Sequence, residues 1–355
     1  MKGPTSNIIA FVDLPPPAQG ISIVSSWVIQ FLKDQPIKLE VVNTLTNRSR
    51  MYSLNRLNKF LVSFAKVLSA PPKSTIYIAL SHGQTLYLQM VIIFLAKFRK
   101  LRVLAHHHTY LPITQPRKPI NLICHTFIKN KVEHIFLSDE MKQQYFRIWS
   151  PREKLWVVTN HQVAFNRTNG LIKTRKFPGR NITYSGRMSS EKGFWDAAAV
   201  SRKILSHNKH MSATFLGPIM ELPISKEILN LKDEFGDRFE HIGIYDENVL
   251  QSKLYESSYF LFPSRYVNEA SPLVVLEAQA LGNICITSDL GSLSHDVLLP
   301  GCAVKIDSWS SSVIDTVDMF RDKDMDLIKH SQQIQLKIAS LAQLSSKQIA
   351  EVFYL

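Results

Sequence analysis

Residues 182–194 read ITYSGRMSSEKGF. An apolar, β-branched run stops at Gly186, a short polar loop carries Arg187 and Lys192, and a helical pattern starts near Phe194. A strand that turns through glycine into a helix is the unit from which doubly wound α/β sheets are made. The helix start aims unpaired backbone N–H groups at the loop, and two cations stand beside them, so the loop suits a diphosphate. An ordinary turn with solvated charges is the plain alternative.

The same alternation runs outward in both directions. Upstream, strands are expected at 7–13, 38–43, 75–80, 102–107, 134–138 and 155–159, with helices at 22–34, 53–69, 85–98, 119–131 and 139–148. Residues 161–180 are polar and basic with Gly170, Pro178 and Gly179, and read as the start of the second domain with a linker. Downstream, strands are expected at 182–185, 213–216, 239–242, 259–262 and 284–287, and the last fifty residues read as helical. Such alternation predicts parallel sheets covered on both faces. Ligands of such sheets bind beyond the carboxyl ends of the strands, so functional residues are sought there.

Residues 268–278, NEASPLVVLEA, follow the strand at 259–262. Ser271 suits an N-cap, Pro272 the first helical position, and Gly282 a helix stop. Glu269 then precedes the helix, and Glu277 lies within it. Carboxylates are poor phosphate ligands and good acceptors for sugar hydroxyls. The glutamates therefore go to sugar, and the cations with the helix start to phosphate. A capped structural helix with solvated glutamates is the competing reading.

In the first half, residues 15–20, PPPAQG, follow the first strand and end on Gly20. His106, His107 and His108 close the strand at 102–107. Successive strand residues point to opposite faces, so adjacent histidines chelate one ion poorly, and no metal is expected. A structural role, a sugar contact or an acid/base role remain for them.

Length and composition fit two globular domains, with 355 residues, 45% apolar and 20% charged. Cys124, Cys285 and Cys302 lack metal or disulfide spacing, which suits a reducing compartment. No signal peptide is visible, and the apolar run near 86–96 is short for a membrane span. A cytoplasmic protein is expected. Residues 1–160 carry 21 Lys/Arg against 7 Asp/Glu, whereas 161–355 carry 21 against 22, so the net +13 sits in the first half. That asymmetry points to a polyanion or an anionic membrane. Residues 53–70, SLNRLNKFLVSFAKVLSA, place Leu54, Leu57, Leu61, Phe64 and Leu68 on one stripe with Arg56, Lys59 and Lys66 off it. Such a helix lies on a membrane or faces a core.

In this order the segments resemble the family 4 retaining glycosyltransferases of GT-B fold, most clearly over 154–300. KLWVVTN looks like the strand that closes that family's first domain, and HIFLSDEM like the strand, serine and helix before it. YSGRMSSEKG resembles its G-R-x-x-x-x-K-G loop. NEASPLVVLEAQALGNICITSDLGS resembles its E-x7-E region. Ala270, Gln19 and His161 stand where the family often has glycine.

The resemblance implies two Rossmann-like domains facing each other across a cleft: 1–162 for the acceptor, 163–340 for the nucleotide sugar, and 341–355 as a C-terminal helix that packs back on the first. Arg187 and Lys192 would bind the donor diphosphate, and Glu277 the ribose. Glu269 would face the sugar, beside backbone N–H groups of the stretch Ser271, Pro272, Leu273. His108, in preference to His107, would approach the transferred sugar, and Gly20 and Gly186 would lie near the diphosphate. It implies metal-free transfer with retention, no cofactor beyond the nucleotide-sugar donor, and a saccharide or lipid-linked acceptor in surface polysaccharide synthesis. The charge of the first half and the 53–70 helix, not the resemblance, suggest peripheral contact with the inner face of the membrane, with a core-facing helix as the equal alternative.

An epimerase or phosphorylase of the same fold is the alternative. Nucleic-acid binding lacks a reading motif. A dehydrogenase lacks G-x-G-x-x-G. A metal-dependent transferase would have to use Asp322, Asp324 and Asp326, which read as a solvated charge run.

Overall fold

The computed structural model describes residues 7–45, 52–80, 82, 85–168, 179–299, 302–319 and 323–354. The chain forms two compact units, Met1–Thr159 with Lys347–Leu355, and Asn160–Ser346.

The first unit alternates β1 (Asn7–Val12), α1 (Gly20–Lys33), β2 (Lys38–Asn43), α2 (Tyr52–Ser69), β3 (Thr75–Leu80), α3 (Thr85–Phe98) and β4 (Arg102–His107). There follow α4 (Leu111–Thr114), α5 (Pro119–Ile128), β5 (Glu133–Phe136), α6 (Asp139–Trp149) and β6 (Leu155–Val157). The six strands pair in parallel in the order β2-β1-β3-β4-β5-β6. Central strands β1 and β3 are almost continuously buried, whereas the edge strand β2 is largely open, as a sheet covered on both faces requires. Helix α6 shows how sequence sets a boundary: Ser138 accepts from the Met141 N–H at 3.1 Å, and Ser150 ends the helix in the left-handed region.

The second unit opens with α7 (His161–Arg167) and continues β7 (Asn181–Ser185), α8 (Phe194–His207), β8 (Ser212–Leu216), α9 (Leu222–Phe235), β9 (Phe239–Ile242), α10 (Glu247–Glu256) and β10 (Ser257–Phe262). Then come α11 (Leu273–Ala280), β11 (Ile284–Ser288), α12 (Leu293–Asp296), β12 (Ala303–Val304), α13 (Trp309–Met319) and α14 (Asp324–Tyr354). Its sheet is also parallel, in the order β12-β11-β10-β7-β8-β9. From β7 the chain winds one way through β8 and β9, and from β10 the other way through β11 and β12. The reversal falls between β7 and β10, which is where a doubly wound sheet opens a crevice for a ligand.

Two expectations change. The linker read at 161–180 begins with α7, because Val163 and Ala164 turn inward and the helix packs on α11 despite its polar composition; residues 169–178 lie outside the described ones. Strand β12 was not anticipated, since two residues leave no period to read. The aspartates expected as a charge run open α14, with Asp324 and Asp326 exposed in its first turn; Asp322 is outside the described residues. All three cysteines are free and buried.

The core of the second unit fixes its first loop. Phe194, fully buried at the start of α8, meets Phe215 of β8 edge-to-face at 5.9 Å, and Phe215 meets Phe239 of β9 at 5.3 Å. Edge-to-face pairs add about 1 kcal/mol each beyond burial. Anchoring Phe194 anchors the loop that enters it.

Candidate active site

Strand β7 delivers its chain to Gly186, whose N–H donates to Leu216 O at 2.9 Å. Gly186 has φ of 155°, and a Cβ there would meet nothing within 4 Å, so the space beside it is open. Gly217 after β8 has φ of 141°, and a Cβ on it would fall 1.9 Å from Gly186 O, so the two loops touch backbone to backbone. The loop is then tied down: Met188 N–H donates to Pro218 O at 2.9 Å, and the Tyr184 hydroxyl donates to Lys192 O at 3.1 Å. Ser189 caps a single turn at Ser190–Lys192.

The two loop cations differ. Arg187 is exposed, and its guanidinium makes no hydrogen bond or ion pair among the described residues. Lys192 is mostly covered; its ammonium is paired with the Glu269 carboxylate and sits 4.7 Å from the Tyr266 ring centroid. Glu269 is 7% exposed and also accepts from the Ser264 hydroxyl at 2.9 Å. The loops after β7 and β10, the strands that flank the reversal, are thus clasped by one ion pair. An ammonium has three donors, so this pairing leaves Lys192 with capacity for further acceptors.

The start of α11 departs from expectation. The helix begins at Leu273, Pro272 precedes it, and Ser271 has φ of 65°. Ser271 is therefore not an N-cap: its hydroxyl donates to Asp296 at 3.2 Å, and its N–H donates to the Ser292 hydroxyl at 2.6 Å. Ser292 in turn donates to Asp296 at 2.9 Å, and Asn160 Nδ2 donates to Ser271 O at 3.1 Å. Burial pushes the Asp296 carboxyl up to about 7, against the pull of the two hydroxyls. Proline has no N–H and that of Ser271 is committed, so Leu273 alone of the expected donor trio has its N–H left over among the described residues. Gly291 packs beneath this loop: with φ of 59°, it would carry a Cβ 2.4 Å from Glu269 O.

Glu277 is 4% exposed and ion-paired with Arg167, which also holds Glu247 at 3.0 Å. Burial raises its pKa, and the Arg167 guanidinium opposes that rise. Tyr245, just beyond β9, lies within electrostatic reach of Glu277 and shares a 2.9 Å hydrogen bond with Ser185. Arg167 was missed because it ends a helix in a stretch read as linker. Tyr245 was open to discovery, since it follows the strand at 239–242.

Within the first unit, Gly20 opens α1 with nothing within 4 Å of a notional Cβ, and the Ser22 hydroxyl accepts from Gln19 N–H at 2.9 Å and donates to Pro17 O. His107 is a core residue: its ring stacks on Phe136 at 4.7 Å, and its Nε2 meets His134 Nδ1 at 2.9 Å. His106 points to the other face, with Nδ1 2.7 Å from the Tyr77 hydroxyl and its ring 4.2 Å from that of His108. His108 follows the strand end, and its Nε2 is covered without a hydrogen-bond partner among the described residues. Burial lowers its pKa to about 3, which favours the neutral imidazole near pH 7.

Residues 179–317 match the family model described as Glycosyl transferases group 1. Among solved structures, Anabaena HepE in complex with UDP-glucose is 15% identical, with 97% of this chain and 98% of that chain covered at a TM-score of 0.66. The fold is that of the GT-B glycosyltransferases. Sucrose-phosphate synthase from Thermosynechococcus elongatus is 17% identical, with 98% of each chain covered at 0.65. The UDP-forming α,α-trehalose-phosphate synthase from Burkholderia vietnamiensis is 13% identical, with 98% and 96% covered at 0.68. No curated protein matches. The family match includes Arg187, Lys192, Glu269 and Glu277, and excludes Arg167, Gly20 and His108.

Proposed function

We propose that this chain is a glycosyltransferase that moves a sugar from a nucleoside diphosphate to a hydroxyl acceptor with retention of configuration. The observation that carries the reading is the Lys192–Glu269 ion pair at the reversal of the second sheet, with unpaired Arg187 and open Gly186 beside it. Two cations with a loose backbone N–H at Leu273 fit a pyrophosphate, and a buried carboxylate next to them fits sugar hydroxyls. Glu277, oriented by Arg167, is assigned to the ribose. The family match over 179–317 supports this reading. HepE, whose complex holds UDP-glucose, makes uridine the first base to try.

In the proposed step the bond between the sugar's anomeric carbon and the β-phosphate oxygen breaks, and negative charge grows on the departing diphosphate. Arg187 and Lys192 meet that charge; a positioned donor of this kind contributes about 10²–10³ in rate. The acceptor hydroxyl attacks from the same face and its proton passes to a phosphate oxygen, so the products are the glycoside and the nucleoside diphosphate. No metal is assigned a role, and His108 serves as a neutral sugar contact. A saccharide or a lipid-linked saccharide in surface polysaccharide synthesis is the acceptor class proposed.

The test is product analysis with anomerically labelled UDP-sugars and a panel of saccharide acceptors. Release of UDP with a new glycoside of the donor's configuration supports the reading. An inverted glycoside removes retention. Donor interconversion without acceptor marks an epimerase, and sugar phosphate released from glycan marks a phosphorylase.

A further inference from the structure

Residues 41–132 contain fourteen lysines and arginines and no aspartate or glutamate. This stretch builds helices α2, α3 and α5 of the first unit, with α2 packed on α3 and α3 on α5. Each turns an apolar row outward. On α3, Tyr87, Val91, Phe94 and Phe98 are spaced by four, three and four residues, which puts them on one face. All four are exposed, Phe94 at 58% and Phe98 at 79%, while Ile92, Ile93 and Ala96 face the core. On α5, Leu122 and Ile123 are exposed, Ile123 at 59%. Between the two helices runs a groove walled by Tyr87, Val91, Phe94, Ile123 and Phe127. On α2, Leu57, Leu61 and Leu68 of the stripe noted in the sequence also face outward, whereas Phe64 packs against the core.

Cations flank this surface. Lys97 and Lys100 stand at the end of α3, Arg117 and Lys118 lead into α5, and Lys129 and Lys131 follow it. None of the six forms an ion pair among the described residues, and the Lys131 ammonium lies 3.6 Å from the Phe127 ring centroid. An aromatic and aliphatic face flanked at its helix ends by lysines and an arginine that form no ion pair among the described residues matches an interface whose interior is hydrocarbon and whose rim is anionic. A second copy would set like charges against each other. Nucleic acid would satisfy the lysines but leave Val91, Leu122 and Ile123 in water, because aliphatic side chains offer bases no stacking plane. No described helix is long and apolar enough to cross a membrane, so the contact is with its surface.

We propose that the α3–α5 face docks on an anionic lipid bilayer, with Tyr87, Val91, Phe94, Phe98 and Ile123 in the headgroup–acyl boundary and the flanking lysines on the headgroup phosphates. The test is flotation of the full chain with vesicles of phosphatidylcholine alone or mixed equally with phosphatidylglycerol. The expected result is recovery with the mixed vesicles at low salt, weakened by high salt and absent with pure phosphatidylcholine. Phe94→Ser with Phe98→Ser should lower the vesicle partition coefficient at least roughly tenfold. Lys97→Glu with Lys100→Glu should lower it at low salt only. Phe94, Phe98 and Lys100 are exposed and Lys97 is half-buried without an ion pair among the described residues, so thermal melts should match wild type; Ile123→Ser on the neighbouring helix replaces the first pair if they do not. Wild-type protein that stays unbound with the anionic vesicles at low salt overturns the proposal. So does flotation unchanged in the aromatic variant, or a dimer or duplex-DNA complex abolished by it while flotation persists. No sugar enters the assay, so its failure leaves the glycosyl-transfer reading standing, and the reverse.

Discussion

The reversal of the second sheet and the end of β4 in the first are built on the same parallel topology and treat charge in opposite ways. At the reversal, charged groups are brought under cover and matched: Lys192 with Glu269, Arg167 with Glu277, Asp296 with two hydroxyls. At the end of β4, histidines are covered without counter-charge among the described residues. His106, His107, His108, His125 and His134 lie among Tyr77, Phe136, Tyr145 and Trp149, and burial is the first cause of every lowered histidine pKa. A covered ion pair leaves a costly unpaired charge when either partner is removed, whereas covered neutral histidines behave as packing.

The largest effect that follows belongs to the matched charges. Lys192→Ala leaves the Glu269 carboxylate buried without its partner, and stability should fall by ~3 kcal/mol, with turnover lower by about 10²–10³. Denaturant unfolding and steady-state rates on a UDP-sugar check both. A variant with wild-type stability would mean that the pair contributes nothing under cover.

That pair also marks the limit of what the sequence discloses. Gly186, Arg187 and Lys192 could be read from a strand, a glycine and a helix pattern in succession, and so could the two parallel sheets. Glu269 and Glu277 were readable as candidates, but nothing in their spacing says that one meets Lys192 and the other Arg167, because those partners come from elements distant in the chain. Ser271 looked like a cap by residue type. Its backbone is left-handed and its hydroxyl is bonded to Asp296, 25 positions later, which residue type does not disclose. Helix α7 was missed because its burial is supplied by α11 and not by its own composition.

A second effect, somewhat smaller, concerns Arg167. Its replacement by Ala removes the group that holds Glu277, and the KM for donor should rise about tenfold with kcat nearly kept, which donor titrations at fixed acceptor would show. A fall in kcat alone would detach Arg167 from nucleotide binding.

The histidine region predicts a pH dependence. His108 and His125 are lowered to about 3 and His134 to about 4, below the ordinary 6.5 of the unfolded chain. Unfolded chains therefore take up protons below 6.5 that the folded unit refuses until about 3–4. The stability these groups confer is fully present above 6.5 and is lost as pH falls through that window. Melting followed by circular dichroism should drop steadily from pH 7 to pH 4.5. A flat profile would place charged, solvated histidines around β4.

The smallest effect is expected at Asp296. Its pKa is raised from 3.8 to about 7, so the folded state favours the protonated form, and stability declines as pH rises from about 4 to 7. Asp296→Asn, which mimics that form, should remove this slope and change stability by less than about 1 kcal/mol at pH 6. A slope that survives the substitution would belong to another group.

On the proposed reading, the loop after β7 grips a diphosphate through the exposed guanidinium of Arg187. Calorimetric titration of UDP and of uridine against wild type and Arg187→Ala tests it most directly. Wild type should bind UDP tightly and uridine weakly, and the variant should lose most of that difference. Equal UDP affinity in the two proteins would contradict it.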